Sequence, residues 1–326
     1  MKIIISTEQA KQRLDKFLSN HCVETGQCPV PTLSRQQIQK LIKQDLITVN
    51  GKTVKQHYLT KEKDIIIIND NLELLSNKKP IIDRPTKSPQ ELLNILVKTT
   101  EYIVINKPAG LAVHGETSNA ITLADILAYK YPKLIKIGDD PTRPGIVHRL
   151  DKDVSGLMVI AKTQDSFDNL KKQFQQRKIL KKYTALVYGQ IALDNGTISF
   201  PVRRSADGFK MSALPLTKKG ELNQDGRSAI TEFSIIKKFI NYTLLKIKIK
   251  TGRTHQIRVH LSAYDHPIVG DNIYGTAKAR RQNEKLDLNR IFLIADELSF
   301  TDLSCNEQKF TIAIPDQLKN LLKKIK

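Results

Sequence analysis

The side chains of this chain that could act chemically together lie in three stretches. The first is His148-Arg149-Leu150-Asp151-Lys152-Asp153-Val154-Ser155-Gly156, a charge-dense turn that breaks at Gly156 and runs directly into the apolar Leu157-Met158-Val159-Ile160-Ala161. A polar loop that leads so abruptly into a buried strand is held in a cleft. Asp151 is flanked by Arg149 and Lys152, and neighbouring positive charge favours the ionised carboxylate in a partly dry site. Nucleophilic work by an acid requires that arrangement.

The second stretch is Thr251-Gly252-Arg253-Thr254-His255-Gln256-Ile257-Arg258-Val259-His260-Leu261. Gly252 permits a sharp turn, Thr254 is placed to cap a helix, and Ile257 and Leu261 fall on its inward side. His255 and Arg258, three apart, share a side, so the arginine could pair with a buried carboxylate above it. Alone, this stretch reads as a surface helix with ordinary histidines; Asp151 tips the balance. The third is Tyr183, which follows the basic run Arg177-Lys178-Ile179-Leu180-Lys181-Lys182. On a strand Tyr183–Tyr188 it shares a face with Ala185 and Val187. It could stack on an extruded base while Lys181 and Lys182 meet phosphate. For an isolated tyrosine, core packing is the better reading.

These residues need strands to hold them. Candidates are residues 102–106, 156–162, 183–188 and 243–250; the last alternates Leu245, Ile247, Ile249 against Lys246, Lys248, Lys250, the pattern of a half-buried strand. Lys107-Pro108-Ala109-Gly110-Leu111-Ala112-Val113-His114 reads as a structural loop and not as a phosphate cradle, and no dinucleotide fingerprint follows any strand. His148, His255 and His260 lack the serine or second carboxylate that would specify a nuclease. His21, Cys22, Cys28 and His57 fit no common zinc spacing. Neither metal nor cofactor is expected.

A chain of 326 residues suggests two domains, and its 40% hydrophobic content suffices for a folded core. Its formal charge of +20 favours a polyanionic partner, above all nucleic acid. Apolar runs such as Ile65–Ile68 are far too short to span a bilayer, and Met1–Ala10 is too short for a signal sequence. Three sparse cysteines (Cys22, Cys28, Cys305) point to a reducing compartment, so a cytoplasmic protein is expected; the sequence leaves oligomeric state open, with monomer the default.

Residues 11–73 read as a small α/β RNA-binding module. Ser34 and Gln37 form a capping box before Ile38, Leu41 and Ile42, an apolar stripe, while Arg35, Gln39 and Lys43 project elsewhere. Ile47–Val54 alternates around Asn50-Gly51, a strong hairpin signal. With Arg13-Leu14-Asp15-Lys16-Phe17-Leu18 and Val49-Asn50-Gly51-Lys52, the segment resembles the S4 domain. It departs in a longer connection, Asn20 to Leu33. A Pro- and Lys-rich linker is expected over 74–90, and one α+β domain over 91–326.

The three chemical stretches, with Ile105–Gly110, Lys182–Val187, His266–Asp271 and Tyr274-Gly275, resemble the RluA-type pseudouridine synthases almost end to end. That family implies a mixed, largely antiparallel central sheet with flanking helices, and isomerisation of uridine to pseudouridine in RNA without metal or cofactor. The resemblance makes Asp151 the catalytic carboxylate, stacks Tyr183 on the target base and pairs Arg258 with Asp151. It places Arg149, beside His148, where the flipped uridine leaves a gap; Arg35, Lys43, Arg253, Lys181 and Lys182 are the candidates for RNA contact. It points to large-subunit ribosomal RNA, closest to the D-like group with the C-like group as alternative. Val154 stands where the family usually has Thr, and Ile294 where His is common. The rival reading is a non-catalytic RNA-binding factor of ribosome assembly, which would be expected to lose Asp151, Tyr183 or Arg258; all three are present.

Overall fold

The computed structural model describes residues 2–10, 12–25, 38–39, 41–42, 45–55, 58–68, 93–115, 121–205, 210–213, 226–286 and 288–325. The capping box at Ser34–Gln37, the side chains of Arg35 and Lys43, and the linker expected over 74–90 lie outside them. The chain divides into two compact units, Met1–Ile81 and Ile82–Lys326.

In the first unit, strands β1 (Lys2–Ile4), β2 (Ile47–Val49), β3 (Lys52–Thr53) and β4 (Ile65–Ile68) form an antiparallel sheet in the order β1-β4-β2-β3. Asn50 and Gly51 take φ of 52° and 73°, the paired left-handed residues of a tight hairpin turn, as the Asn-Gly pair predicts. Ile38, Leu41 and Ile42 are buried against Leu14, Phe17 and Leu18 of the helix Leu14–Thr25, so the apolar stripe is a core face.

The second unit is built on a nine-stranded sheet. Its strands are β5 (Asn94–Lys98), β6 (Tyr102–Lys107), β7 (Ser155–Ala161), β8 (Leu180–Tyr188), β9 (Asn195–Ile198), β12 (Thr231–Lys238), β13 (Tyr242–Ile249), β14 (Leu293–Thr301) and β15 (Glu307–Thr311). A separate ribbon joins β10 (Val202–Arg204) to β11 (Met211–Ala213). The sheet order is β5-β6-β7-β14-β8-β13-β12-β9, with β15 on β14. Every pairing is antiparallel except β7 with β14, which run parallel at Ser155–Ile294 and Gly156–Ala295.

Side-chain alternation divides the core in two. Tyr183, Ala185 and Val187 of β8 join Leu245 and Ile247 of β13 beneath Ile257 and Leu261 of the helix Gln256–Ala263. From the opposite face Leu186, Phe292 and Ile294 pack on Leu318 and Leu321 of the helix Asp316–Lys324. Ile294 is thus a core residue, as is Val154 in the first layer.

All seven residues of β7 are buried, which explains the continuous apolar run after the charged loop. Gly156 takes φ 136°, and a Cβ there would lie 2.2 Å from the Ala295 carbonyl oxygen. The loop therefore enters the sheet at a spot where only glycine lets two strands approach. Gly156→Ala combines a strained backbone with a backbone clash and should lower stability by about 2–4 kcal/mol. A thermal melt followed by circular dichroism checks this; an unchanged midpoint would contradict the close approach.

Candidate active site

The His148–Val154 loop and the N-terminal turn of the helix Gln256–Ala263 face each other across a cavity of about 310 Å³. Asp151, Tyr183, Lys181, Arg253, His255 and Arg258 all contribute to its lining, so residues far apart in sequence meet there. The Asp151 side chain is 18% exposed, and its Oδ2 lies 3.5 Å from Nη1 of Arg258.

Arg258 has a firmer partner than the sequence indicates. Its Nε and Nη2 donate to the two oxygens of Asp271 at 2.7 and 2.9 Å, a bidentate pair among fully buried groups. Asp271 Oδ1 also accepts the backbone N–H groups of Ile273 and Tyr274 at 2.9 and 3.0 Å. Burial disfavours the Arg258 cation, but the hydrogen bonds and charge of Asp271, with Asp151, outweigh it and raise its pKa further. The guanidinium is thereby fixed with Nη1 left over for Asp151.

The helix does not start as the sequence suggests. His255, not Thr254, is its N-cap, in a left-handed conformation at φ 55° and without a side-chain cap. Gln256 does the holding instead: its Oε1 accepts from Thr251 Oγ1 at 2.7 Å and from the Arg253 N–H at 3.1 Å. This turn swings His255 toward Asp151, with Nε2 at 3.9 Å from Oδ2.

Lys107, read from sequence as part of a plain structural loop, lies beneath the Asp151 loop. It is fully buried, and its ammonium donates to the carbonyls of Pro108, Leu111 and Lys152 at 2.8, 2.7 and 3.1 Å. Burial pushes it down to about 7, against the pull of Asp151 and Asp153. Gly110 N–H adds a bond to the Lys152 carbonyl at 2.9 Å, so the Lys107–Gly110 turn clamps the residue next to Asp151. A lysine following an apolar strand gave no sequence signal of this role.

Of the remaining expected residues in this unit, all but Lys182 line the same cavity. Tyr183 is buried, and burial together with the Asp151 charge pushes its phenol well above the ordinary value, so it stays neutral. The His148 ring stacks on Phe174 at 4.7 Å, and its Nε2 accepts the Val159 N–H at 3.1 Å. Lys181 Nζ lies 5.1 Å from the centroid of that same Phe174 ring, without a carboxylate partner among the described residues; burial pushes it down to about 8. Lys182 points to the opposite face of β8 and pairs with Glu297 at 3.0 Å, away from the cavity. Arg149 is exposed, with Nη1 3.3 Å from His114 Nε2. Arg253 donates through Nε to the Ser228 carbonyl at 3.2 Å.

Comparison with known proteins adds independent findings. Residues 101–263 match the RNA pseudouridylate synthase family model, and residues 31–66 match the S4 domain. An RNA pseudouridine synthase of Aquifex aeolicus is 37% identical, covering 96% of this chain and 94% of that protein. Ribosomal large subunit pseudouridine synthase D of Blochmanniella floridana is 34% identical, over 83% of this chain and 78% of its own. The solved structure of human RNA pseudouridylate synthase domain containing 1 superposes with a TM-score of 0.54 at 25% identity, covering 71% of this chain and 94% of that one.

Three imidazoles of this unit are held neutral by burial: His148 is pushed down to about 3, and His114 and His260 to about 4. Each folded value lies below the unfolded 6.5, so the unfolded chain binds more protons between the two. The stability they contribute is complete above pH 6.5 and is lost as pH falls toward 4. The fully buried His260 alone should remove about 1.4 kcal/mol per pH unit across that window. Urea midpoints measured from pH 7.5 to 4.5 should fall monotonically; a flat profile would contradict the neutral buried rings.

Proposed function

As this chain belongs to the RNA pseudouridylate synthase family and carries an S4 domain, it isomerises uridine to pseudouridine in RNA, and we propose that its substrate is large-subunit ribosomal RNA with Asp151 as the catalytic carboxylate. The observation that carries this reading is the Asp151 carboxylate facing the anchored Arg258 guanidinium inside a cavity that also holds Tyr183. The substrate class draws support from relatives named ribosomal large subunit pseudouridine synthase D.

The reaction breaks the bond between uracil N1 and ribose C1′, turns the base, and rejoins it through C5. Both fragments must stay trapped while this happens, and a cleft that the bound RNA itself covers serves that end. Asp151 reaches the sugar or base as nucleophile or as base for a ribose proton; in each case Arg258 balances its charge. A uridine in folded RNA must first be extruded, which costs a few kcal/mol of stacking. Neutral, buried Tyr183 offers its ring to the extruded uracil, and exposed Arg149 can fill the vacated stack. Lys181 and Arg253 on the cavity lining meet the backbone phosphates beside the target. Lys182, neutralised by Glu297, serves the sheet instead. Arg35 and Lys43 of the S4 domain contribute further RNA contacts, in the reducing compartment where ribosomal RNA is made.

The test is to incubate the protein with an unmodified large-subunit ribosomal RNA transcript and map pseudouridines chemically. The wild-type chain should modify discrete positions. Asp151→Asn should bind the same RNA while its rate falls by roughly 10²–10⁴-fold or beyond detection. Full turnover by the variant would refute the assigned role of Asp151. Wild-type activity confined to other RNAs would refute the substrate.

A further inference from the structure

Asp151 is not alone among titratable side chains that open onto the cavity. His255 precedes the helix Gln256–Ala263 with φ 55° and ψ 20°, a conformation that costs a non-glycine residue of order ~1 kcal/mol or more and persists only where contacts enforce it. Gln256 holds the turn and Tyr274 holds the ring: the Tyr274 Oη lies 2.6 Å from His255 Nδ1 and accepts the Met211 N–H at 3.0 Å. The other ring nitrogen is free. Nε2 lies 3.9 Å from Asp151 Oδ2, too far for a hydrogen bond, and has no nearer partner among the described residues. One nitrogen is therefore fixed while its opposite faces the space that Asp151 and Tyr183 enclose.

A general base needs this geometry: an orienting partner behind and an open acceptor in front. The charged groups facing the ring are Asp151, Arg258, Asp271 and Arg149. Burial, with the two arginines, favours the neutral ring over the pull of the two carboxylates, so it can accept a proton at neutral pH. In the tautomer with Nδ1–H donated to Tyr274 Oη, which has a second lone pair for the Met211 N–H, the lone pair of Nε2 is left open on the Asp151 side.

We infer that His255 removes the proton from C5 of the target uracil once C5 has joined the ribose, an inference that rests on the isomerase reading above. Uridine carries hydrogen at C5, pseudouridine carries ribose C1′ there, and the intermediate between them carries both. The C5–H bond breaks and its electron pair forms the C5=C6 double bond. The C6=N1 pair moves onto N1, which takes a proton from water. The C5 proton passes to Nε2, and the resulting imidazolium stands beside the Asp151 carboxylate until it returns that proton to water. No proton is consumed overall. Loss of the C5 proton is common to every route by which the glycosidic bond can open; where Asp151 adds to C6 of the base, the new C5=C6 pair expels that carboxylate instead of moving a C6=N1 pair.

The test compares ribosomal and transfer RNA transcripts made with uridine deuterated at C5 against protonated ones, under single turnover. The wild-type chain should treat both alike, because proton removal is fast. His255→Asn suits the left-handed backbone, which asparagine tolerates, but lacks a basic nitrogen. It should bind RNA normally, slow by about 10²–10⁴-fold, and run slower on the deuterated transcript. Tyr274→Phe keeps the acceptor but not its orientation; it should slow less and show the same isotope sensitivity. A His255→Asn enzyme that keeps full rate, or slows equally on both transcripts, overturns the assignment. A wild-type chain active on transfer RNA alone would overturn only the substrate class, and one inactive on every transcript would overturn the isomerase reading beneath this inference.

Discussion

One guanidinium answering two carboxylates is the constraint on which the catalytic unit depends. Arg258 is 3% exposed, and an unpaired charge so deeply placed would be untenable. Asp271 neutralises it with two hydrogen bonds and is itself fixed by two backbone N–H groups. That settled pair forms a platform, and the spare Nη1 gives Asp151 a cation without surrendering the carboxylate to a tight bond of its own. An acid held at 3.5 Å stays available for reaction; one locked in a bidentate pair, as Asp271 is, does not.

The loop that presents Asp151 is held at two points just after the acid. Lys107 grips the Lys152 carbonyl from below, while Gly156 admits the chain into the sheet at the parallel β7–β14 pairing. The opposite lining keeps a deliberate imbalance: Lys181 has an aromatic ring beside it but no carboxylate among the described residues. A half-buried cation left this way is costly in the free protein and favourable once phosphate arrives. The chain's net charge of +20 acts over longer distances to bring that polyanion close.

The sequence announced strongly whatever is local and periodic. The polar-to-apolar switch at Gly156 placed the loop and strand β7; alternation placed Tyr183 with Ala185 and Val187; Asn50-Gly51 placed the hairpin. The charge partner of Arg258 was only half legible. Asp151 was expected on the strength of a family resemblance, but Asp271 reaches back from a loop beyond the helix, a contact no periodicity encodes. Lys107 stayed hidden because burial of a lysine depends on three carbonyls that converge only in the fold. His255 was misjudged for a related reason: a threonine resembling an N-cap stood before it, yet Gln256 took over the turn and left the histidine strained and aimed inward. Lys181 and Lys182 look equivalent in sequence, and strand alternation sends them to opposite faces.

The most direct measurement of the central claim is the single-turnover rate of pseudouridine formation by Asp271→Asn. The substitution keeps the shape of the side chain and touches neither Asp151 nor the cavity lining, but it removes the charge that steadies Arg258. Breaking such a buried pair costs about 3–5 kcal/mol of folding stability, and with the guanidinium no longer steadied a rate loss of roughly 10²–10³-fold with RNA affinity retained is predicted, which corresponds to about 3–4 kcal/mol of activation free energy. A variant that folds, binds RNA and reacts at the wild-type rate would contradict the claim that the anchored guanidinium makes Asp151 competent.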